Sequence, residues 1–115
     1  MDKKTTIEQL VLEEYMSANE KFPMFNSSHE AWAVLKEEVE EFGEEVNIVQ
    51  SNMIALWPYI KRNDISSQKD LLSVSKQHAI KACEELIQVM AMIHKYEMYL
   101  ASQTRSSIPD DDLPF

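Results

Sequence analysis

Residues 37 to 45 of this chain read EEVEEFGEE, six glutamates in nine positions. In a helix each side chain turns by about 100° from the last, so the six divide into two stripes. Glu37, Glu40 and Glu44 lie opposite the apolar positions and face solvent. Glu38, Glu41 and Glu45 line the flank of the apolar face, within reach of a packed helix. Further along, the same construction puts His78, Lys81, Glu85, Gln88 and Met92 on one flank of another helical stretch. Antiparallel packing of the two stretches sets these flanks face to face. A glutamate-rich helix face is most often a solvated one. Carboxylates that converge beside an apolar seam are a different matter, because they repel one another unless a divalent cation sits between them. Oxygen ligands on rigid helices suit Mg²⁺ or Mn²⁺, with the phosphate of a substrate completing the shell.

The elements that must position these groups are helices. The chain has 115 residues and one glycine, Gly43, whereas tight hairpins depend on glycine or asparagine at positive φ. Ile7, Leu10, Val11, Glu14, Tyr15 and Ala18 recur at helical spacing and predict a helix from Thr5 to about Glu20. KFPMFNSS (21–28) is a loop whose Phe22, Met24 and Phe25 pack on the body or on a ligand, with cap residues Asn26, Ser27 and Ser28 at its end. A second helix starts near Ser28, its seam running Trp32, Leu35, Val39, Phe42, Val46, Val49, Met53, Leu56 and Ile60 in heptad style. Pro58 is expected to kink or end it near Leu56 or Trp57. KRNDISS (61–67) connects to a third helix from about Gln68 to about Ala101, capped by Ser66 or Ser67. Its seam is Leu72, Ser75, Ala79, Ala82, Leu86, Val89, Ile93, Tyr96 and Leu100. Ile80, Cys83, Ile87, Met90 and Ala91 widen that stripe, which predicts burial on more than one side and a homodimer or homotetramer. The expected fold is an all-α bundle of three to four helices, two of them long, over residues 1–101. Residues 102–115 lack a helical period and form a tail.

Composition narrows the function. Twenty acidic against 11 basic residues give a net charge of -9, which argues against direct binding of nucleic acid. No apolar run approaches the roughly 20 residues of a membrane span, and the N-terminus has no signal-peptide core. A single cysteine, Cys83, excludes an internal disulfide and suits a reducing, cytoplasmic compartment. It reads as a buried apolar filler. Trp32 lies on the seam and reads as core, though it or Phe25 or Trp57 could stack on a base. Lys81 could contact phosphate, but a surface lysine is the commoner role. His29 and His78 sit at helix flanks, where a lone histidine is seldom a ligand or a base.

Leu35 to Phe42 (LKEEVEEF) resembles the LxEExxE[LF] motif of the MazG-like all-α nucleoside triphosphate pyrophosphohydrolases, and Glu84 to Gln88 (EELIQ) resembles their second motif, EELxD. The likeness spans about residues 22–100 and extends to the small MazG-like proteins common in bacteriophages and related genomes, to which these segments are similar. In that family an ExxE and an ExxD pair hold Mg²⁺, and a nucleoside triphosphate is hydrolysed to the monophosphate and pyrophosphate. The resemblance implies Glu38, Glu41 and Glu85 as metal-binding and catalytic residues, with Lys81 and Trp32 as candidates for substrate contact. Gln88 stands where the family has Asp; an amide oxygen can ligate but supplies no charge. Glu45, one turn beyond Glu41, is placed to supply the missing carboxylate.

The chain ends in Asp110-Asp111-Asp112-Leu113-Pro114-Phe115, three acids before an apolar hook with a free carboxylate on an aromatic residue. Such a peptide suits a partner with an apolar slot, a basic group for the carboxylate and a basic rim. It resembles the C-terminal tip of bacterial single-stranded DNA-binding proteins, a docking signal for replication and repair proteins. The rest of the chain has none of their β-barrel character. Two functions are therefore expected to compete: a pyrophosphohydrolase recruited by its tail, or a non-enzymatic inhibitor or adaptor that mimics the tip. The six glutamates of the block and the three tail aspartates together equal the whole acidic excess of nine.

Overall fold

The computed structural model describes residues 2–106, which form three helices: α1 (Lys3–Lys21), α2 (Ser28–Lys61) and α3 (Ile65–Ser106). Among the described residues there is no strand, and the protein is an all-α arrangement with two long helices.

Each start has a local cause. Asp2 accepts the Thr5 amide at 2.7 Å, and Ser27 accepts that of Glu30 at 3.1 Å. At α3 the cap is Asp64, not Ser66 or Ser67. Its carboxylate accepts both the amide (3.0 Å) and the hydroxyl (2.8 Å) of Ser67, so a charged acceptor takes the position a serine was expected to fill. The helix thereby begins at Ile65, ahead of the expected Gln68. Pro58 does not end α2, which continues to Lys61. Proline fixes φ at a helical value and removes one rung of the ladder, that from residue 58 to the Ile54 carbonyl, and the helix carries this loss for its last three residues. The Pro58 carbonyl still accepts from Arg62 at 3.1 Å. The turn is closed by Asn63 at φ 55°, a left-handed conformation that asparagine adopts more readily than most residues. α3 runs on to Ser106, past the expected end at Ala101.

Helix α3 is the spine: α2 and α1 each pack against it, and they do not pack directly on each other. The molecule is elongated, 69 × 34 × 25 Å, with a radius of gyration of 20.1 Å. A compact chain of this length would measure about 13 Å. Antiparallel α2 and α3 meet along an unbroken heptad, but not the one the apolar residues spell. On α2 the covered positions are Ala31, Leu35, Glu38, Phe42, Glu45, Val49, Asn52, Leu56 and Tyr59; on α3 they are Leu71, Ser75, His78, Ala82, Glu85, Val89, Met92, Tyr96 and Tyr99. Leu35, Phe42, Val49 and Leu56 of the expected seam stay in the contact, as do Ser75, Ala82, Val89 and Tyr96, while every other seam position moves back by one residue, so each contact face is turned by about 50°. Trp32, Val39, Met53 and Ile60, expected inside, are exposed, as are Leu72, Ala79, Leu86, Ile93 and Leu100. Because the helices are antiparallel, these two rotations bring the displaced apolar rows to the same side of the hairpin.

Few residues are fully buried. The core centres on Phe25, Ala31 and Tyr99, with Met24, Val34, Met92 and Tyr96 packed around them, so Met24 and Phe25 of the α1–α2 loop pack on the body as the sequence predicts, whereas Phe22 is 64% exposed. Helix α1 is held on α3 partly by Tyr15 and His94, whose rings meet edge to face at 4.5 Å. Among the described residues no helix is long and apolar enough to cross a membrane.

Candidate metal centre

The rotated seam carries the carboxylates inward. Glu38 and Glu41 come from consecutive turns of α2 and Glu85 from the facing turn of α3. One carboxylate oxygen from each lies within 4.8 Å of the other two. Glu38 Oε2 and Glu85 Oε2 are buried and make no hydrogen bond with any of the described residues. Burial pushes the Glu38 carboxyl above the ordinary glutamate range, and the charges of Glu41 and Glu85 push it further. Glu85 is raised for the same reasons, burial first and then Glu41. Two buried oxygens with no proton donor, in a group of repelling anions, fit a divalent cation by the chemistry of the donor set.

Glu45 is employed differently. It is 8% exposed and lies outside that trio; its Oε2 is 2.6 Å from His78 Nδ1, and its Oε1 is 3.5 Å from Lys81 Nζ. Nδ1 must carry the hydrogen it donates to a carboxylate. This bond, aided by Lys81, holds the Glu45 carboxyl below the ordinary range, in contrast to Glu38 and Glu85. The polar seam thus has two compartments, a carboxylate trio and, one turn further along, a carboxylate partnered by His78 and Lys81.

Gln88, on the turn after Glu85, lines the same cavity as Glu38, and so does Lys95. That cavity, of about 450 Å³, fills the wedge where α1 and α2 diverge over α3. Lys81 lies on a second, shallower cavity with His78 and Glu85. Trp32 is not brought to the carboxylates. It is 58% exposed on the displaced apolar row, with the Lys36 ammonium 5.9 Å from its ring. Cys83, expected to be buried, is exposed, because the turn of the seam away from its side carries it off the contact. His29 is exposed at the start of α2. Asp110, Asp111, Asp112, Leu113, Pro114 and Phe115 lie outside the described residues.

Lys95, which is 3% exposed, and Glu30 are further charged groups of the cavity that Glu38 and Gln88 line, beyond those expected from the sequence. A signal for Lys95 exists: Lys81, Gln88 and Lys95 recur at seven-residue intervals, so the polar flank extends two turns beyond Gln88.

Comparison of the chain with protein-family models, with curated proteins and with solved structures finds no match.

Proposed function

We propose that the chain is a MazG-like, Mg²⁺-dependent nucleoside triphosphate pyrophosphohydrolase that converts a (d)NTP and water to the (d)NMP and pyrophosphate. The observation that supports this reading best is the convergence of Glu38, Glu41 and Glu85, with two of their buried oxygens unpartnered. These three would hold Mg²⁺ or Mn²⁺, with the Gln88 amide oxygen adjacent. The bound ion would neutralise phosphate charge and lower the pKa of a bound water. The chain's own part is to fix three acceptors on two rigid helices. Lys81, tethered by Glu45, adds a positive charge beside Glu85. Release of pyrophosphate from a panel of (d)NTPs tests the reading. Activity with Mg²⁺ or Mn²⁺ that disappears in Glu41→Ala supports it, and absence of release from every nucleotide refutes it.

The partner most in keeping with the displaced apolar rows is a second copy of the chain. Trp32, Val39, Met53, Leu72, Leu86 and Ile93 are all exposed, and such patches mark interaction surfaces. Sedimentation velocity at micromolar concentration would show a dimer or tetramer, and a monomer there would refute the assembly.

A second reading is favoured by the neutral Gln88 and the terminal DDDLPF. In it the same scaffold is a non-enzymatic adaptor that occupies the pocket for the single-stranded DNA-binding protein tip. Deleting Leu113 to Phe115 should then abolish capture of tip-binding proteins, and unchanged capture would rule the adaptor out.

A further inference from the structure

The cavity between α1, α2 and α3 contains a charge that the trio does not explain. Lys95 projects from α3 into the wedge between α1 and α2 and is 3% exposed. Its ammonium stands 4.7 Å from the centre of the Phe25 ring. The ammonium makes no hydrogen bond or ion pair with another of the described residues, and it opens onto the cavity. A cation–π contact offsets only part of the cost of burying an ammonium, whose three hydrogens each seek an acceptor. Burial accordingly pulls the Lys95 amine below its ordinary pKa, against the charge of Glu30. Glu30 lines the same cavity and faces this charge without closing an ion pair with it. Its carboxylate is steadied by the Asn26 amide, which donates to it at 3.2 Å. The cavity therefore presents a donor and an acceptor side by side with a gap between them.

The walls around this pair are apolar: Phe25, Val34 and Met92. A triphosphate has no reason to lie there, but a flat heterocycle does. Glu38 and Gln88 stand at the other end of the cavity. From Gln88 to Lys95 is two helical turns, about 10 Å along the axis, a span that a ribose bridges between phosphate and base.

We propose that this cavity holds the nucleobase and reads its lactam edge, with Lys95 donating to the ring carbonyl oxygen and Glu30 accepting from the neighbouring ring N–H. That edge belongs to uracil, thymine and guanine. Cytosine and adenine present an amino donor beside a bare ring nitrogen, the reverse pattern, which sets donor against donor at Lys95. The inference rests on the pyrophosphohydrolase reading and assigns its substrate class.

The test uses the full chain with Mg²⁺ and compares dUTP with dCTP. A hydrogen bond to a charged group should favour dUTP by roughly 10- to 100-fold in kcat/KM. Lys95→Met, which keeps the length and removes the charge, should bring that ratio to within about 3-fold through loss on dUTP alone. Glu30→Gln changes an exposed position without disturbing the buried side chain, and should reduce the ratio in the same direction. Thermal shifts with dUMP and dCMP provide a readout independent of hydrolysis and should show the same order. Turnover with no preference for dUTP, or a preference that survives both substitutions, overturns the lactam assignment and leaves the enzyme reading standing. Absence of turnover and of dUMP binding refutes both.

Discussion

Replacing Glu38 with Gln should make the metal-free protein more stable and the metal-loaded protein less responsive. The Glu38 carboxylate has an oxygen within 4.8 Å of one from Glu41 and of one from Glu85. Two unit charges at that distance repel by about 0.9 kcal/mol at the dielectric of water and about 3.5 at an effective value of 20. Glu41 is exposed and screens like a surface group, so the lower figure applies. Removing two such pairs should return about 2 kcal/mol, or about 8 °C in melting temperature for a domain near 100 residues. The sign follows from linkage. The folded-state pKa of Glu38 is raised, so between the ordinary and the raised value the native state binds more protons than the unfolded one. Wild-type stability therefore falls as pH rises through that window. Glutamine has no proton to lose, so the advantage of the variant should be small at mildly acidic pH and full at neutrality. Calorimetry in EDTA at fixed protein concentration, repeated with millimolar Mg²⁺, reads both effects. Mg²⁺ should raise the wild-type melting temperature and leave Glu38→Gln nearly unchanged. A variant that melts lower than wild type in EDTA would refute the repulsion, and an equal Mg²⁺ shift in both proteins would remove the metal from this site.

Glu41→Gln should reduce pyrophosphate release by at least 100-fold while circular dichroism keeps its helical signal; comparable activity would exclude Glu41 as a ligand. Gln88→Asp should add a fourth carboxylate beside Glu38 and Glu85, tightening Mg²⁺ in a calorimetric titration and lowering the melting temperature in EDTA; failure of either change would place Gln88 away from the ion. Glu45→Gln should flatten the acid limb of the stability curve. The folded-state pKa of Glu45 is lowered, chiefly by its bond to His78, so the stability it contributes is present above the unfolded value and is lost as pH falls. An acid limb unchanged in Glu45→Gln would show that the His78 contact contributes nothing.

Much of the site was legible because helical spacing is a strict rule. Glu38 and Glu85, and Glu45 with His78 and Lys81, follow from the 100° construction once α2 and α3 are antiparallel. What spacing could not give was which of two adjacent heptads closes the hairpin. Apolar residues alone choose Trp32, Val39, Met53 and Leu86; the protein instead packs Glu38, Glu45, Asn52, His78 and Glu85 between its helices. The rule that apolar groups go inside fails at Glu45 and His78 because each is the other's partner across the seam, and at Glu38, Asn52 and Glu85, whose buried polar atoms include one each without a hydrogen bond, the seam holds polar groups that the hairpin itself does not satisfy. Lys95 was missed for a related reason. A lysine is seldom buried, and nothing in the local sequence shows that Phe25 will be folded over it.

The rotation has a physical consequence that joins the site to the proposed assembly. A seam of Ala31, Leu35, Phe42, Val49, Ala82 and Val89 interrupted by charged and amide groups buries little apolar surface, and no large side chain among the described residues is fully enclosed. The hairpin is then weak by itself, since burial is the main term that opposes chain entropy. The apolar rows it leaves outside are the compensating resource, because covering them removes Trp32, Met53, Leu86 and Ile93 from water without altering the polar seam. They lie on the side of the hairpin to which both helices rotate, whereas Gln88 and Lys95 are three residues beyond Glu85 and Met92 and point the other way. A second copy on the apolar side would therefore stabilise the fold and leave the cavity open to solvent. Stability and nucleotide access then respond to different perturbations. Dilution should lower the melting temperature, and an aspartate at Leu86 should dissociate the assembly, while dUMP binding by the remaining folded protein keeps its affinity.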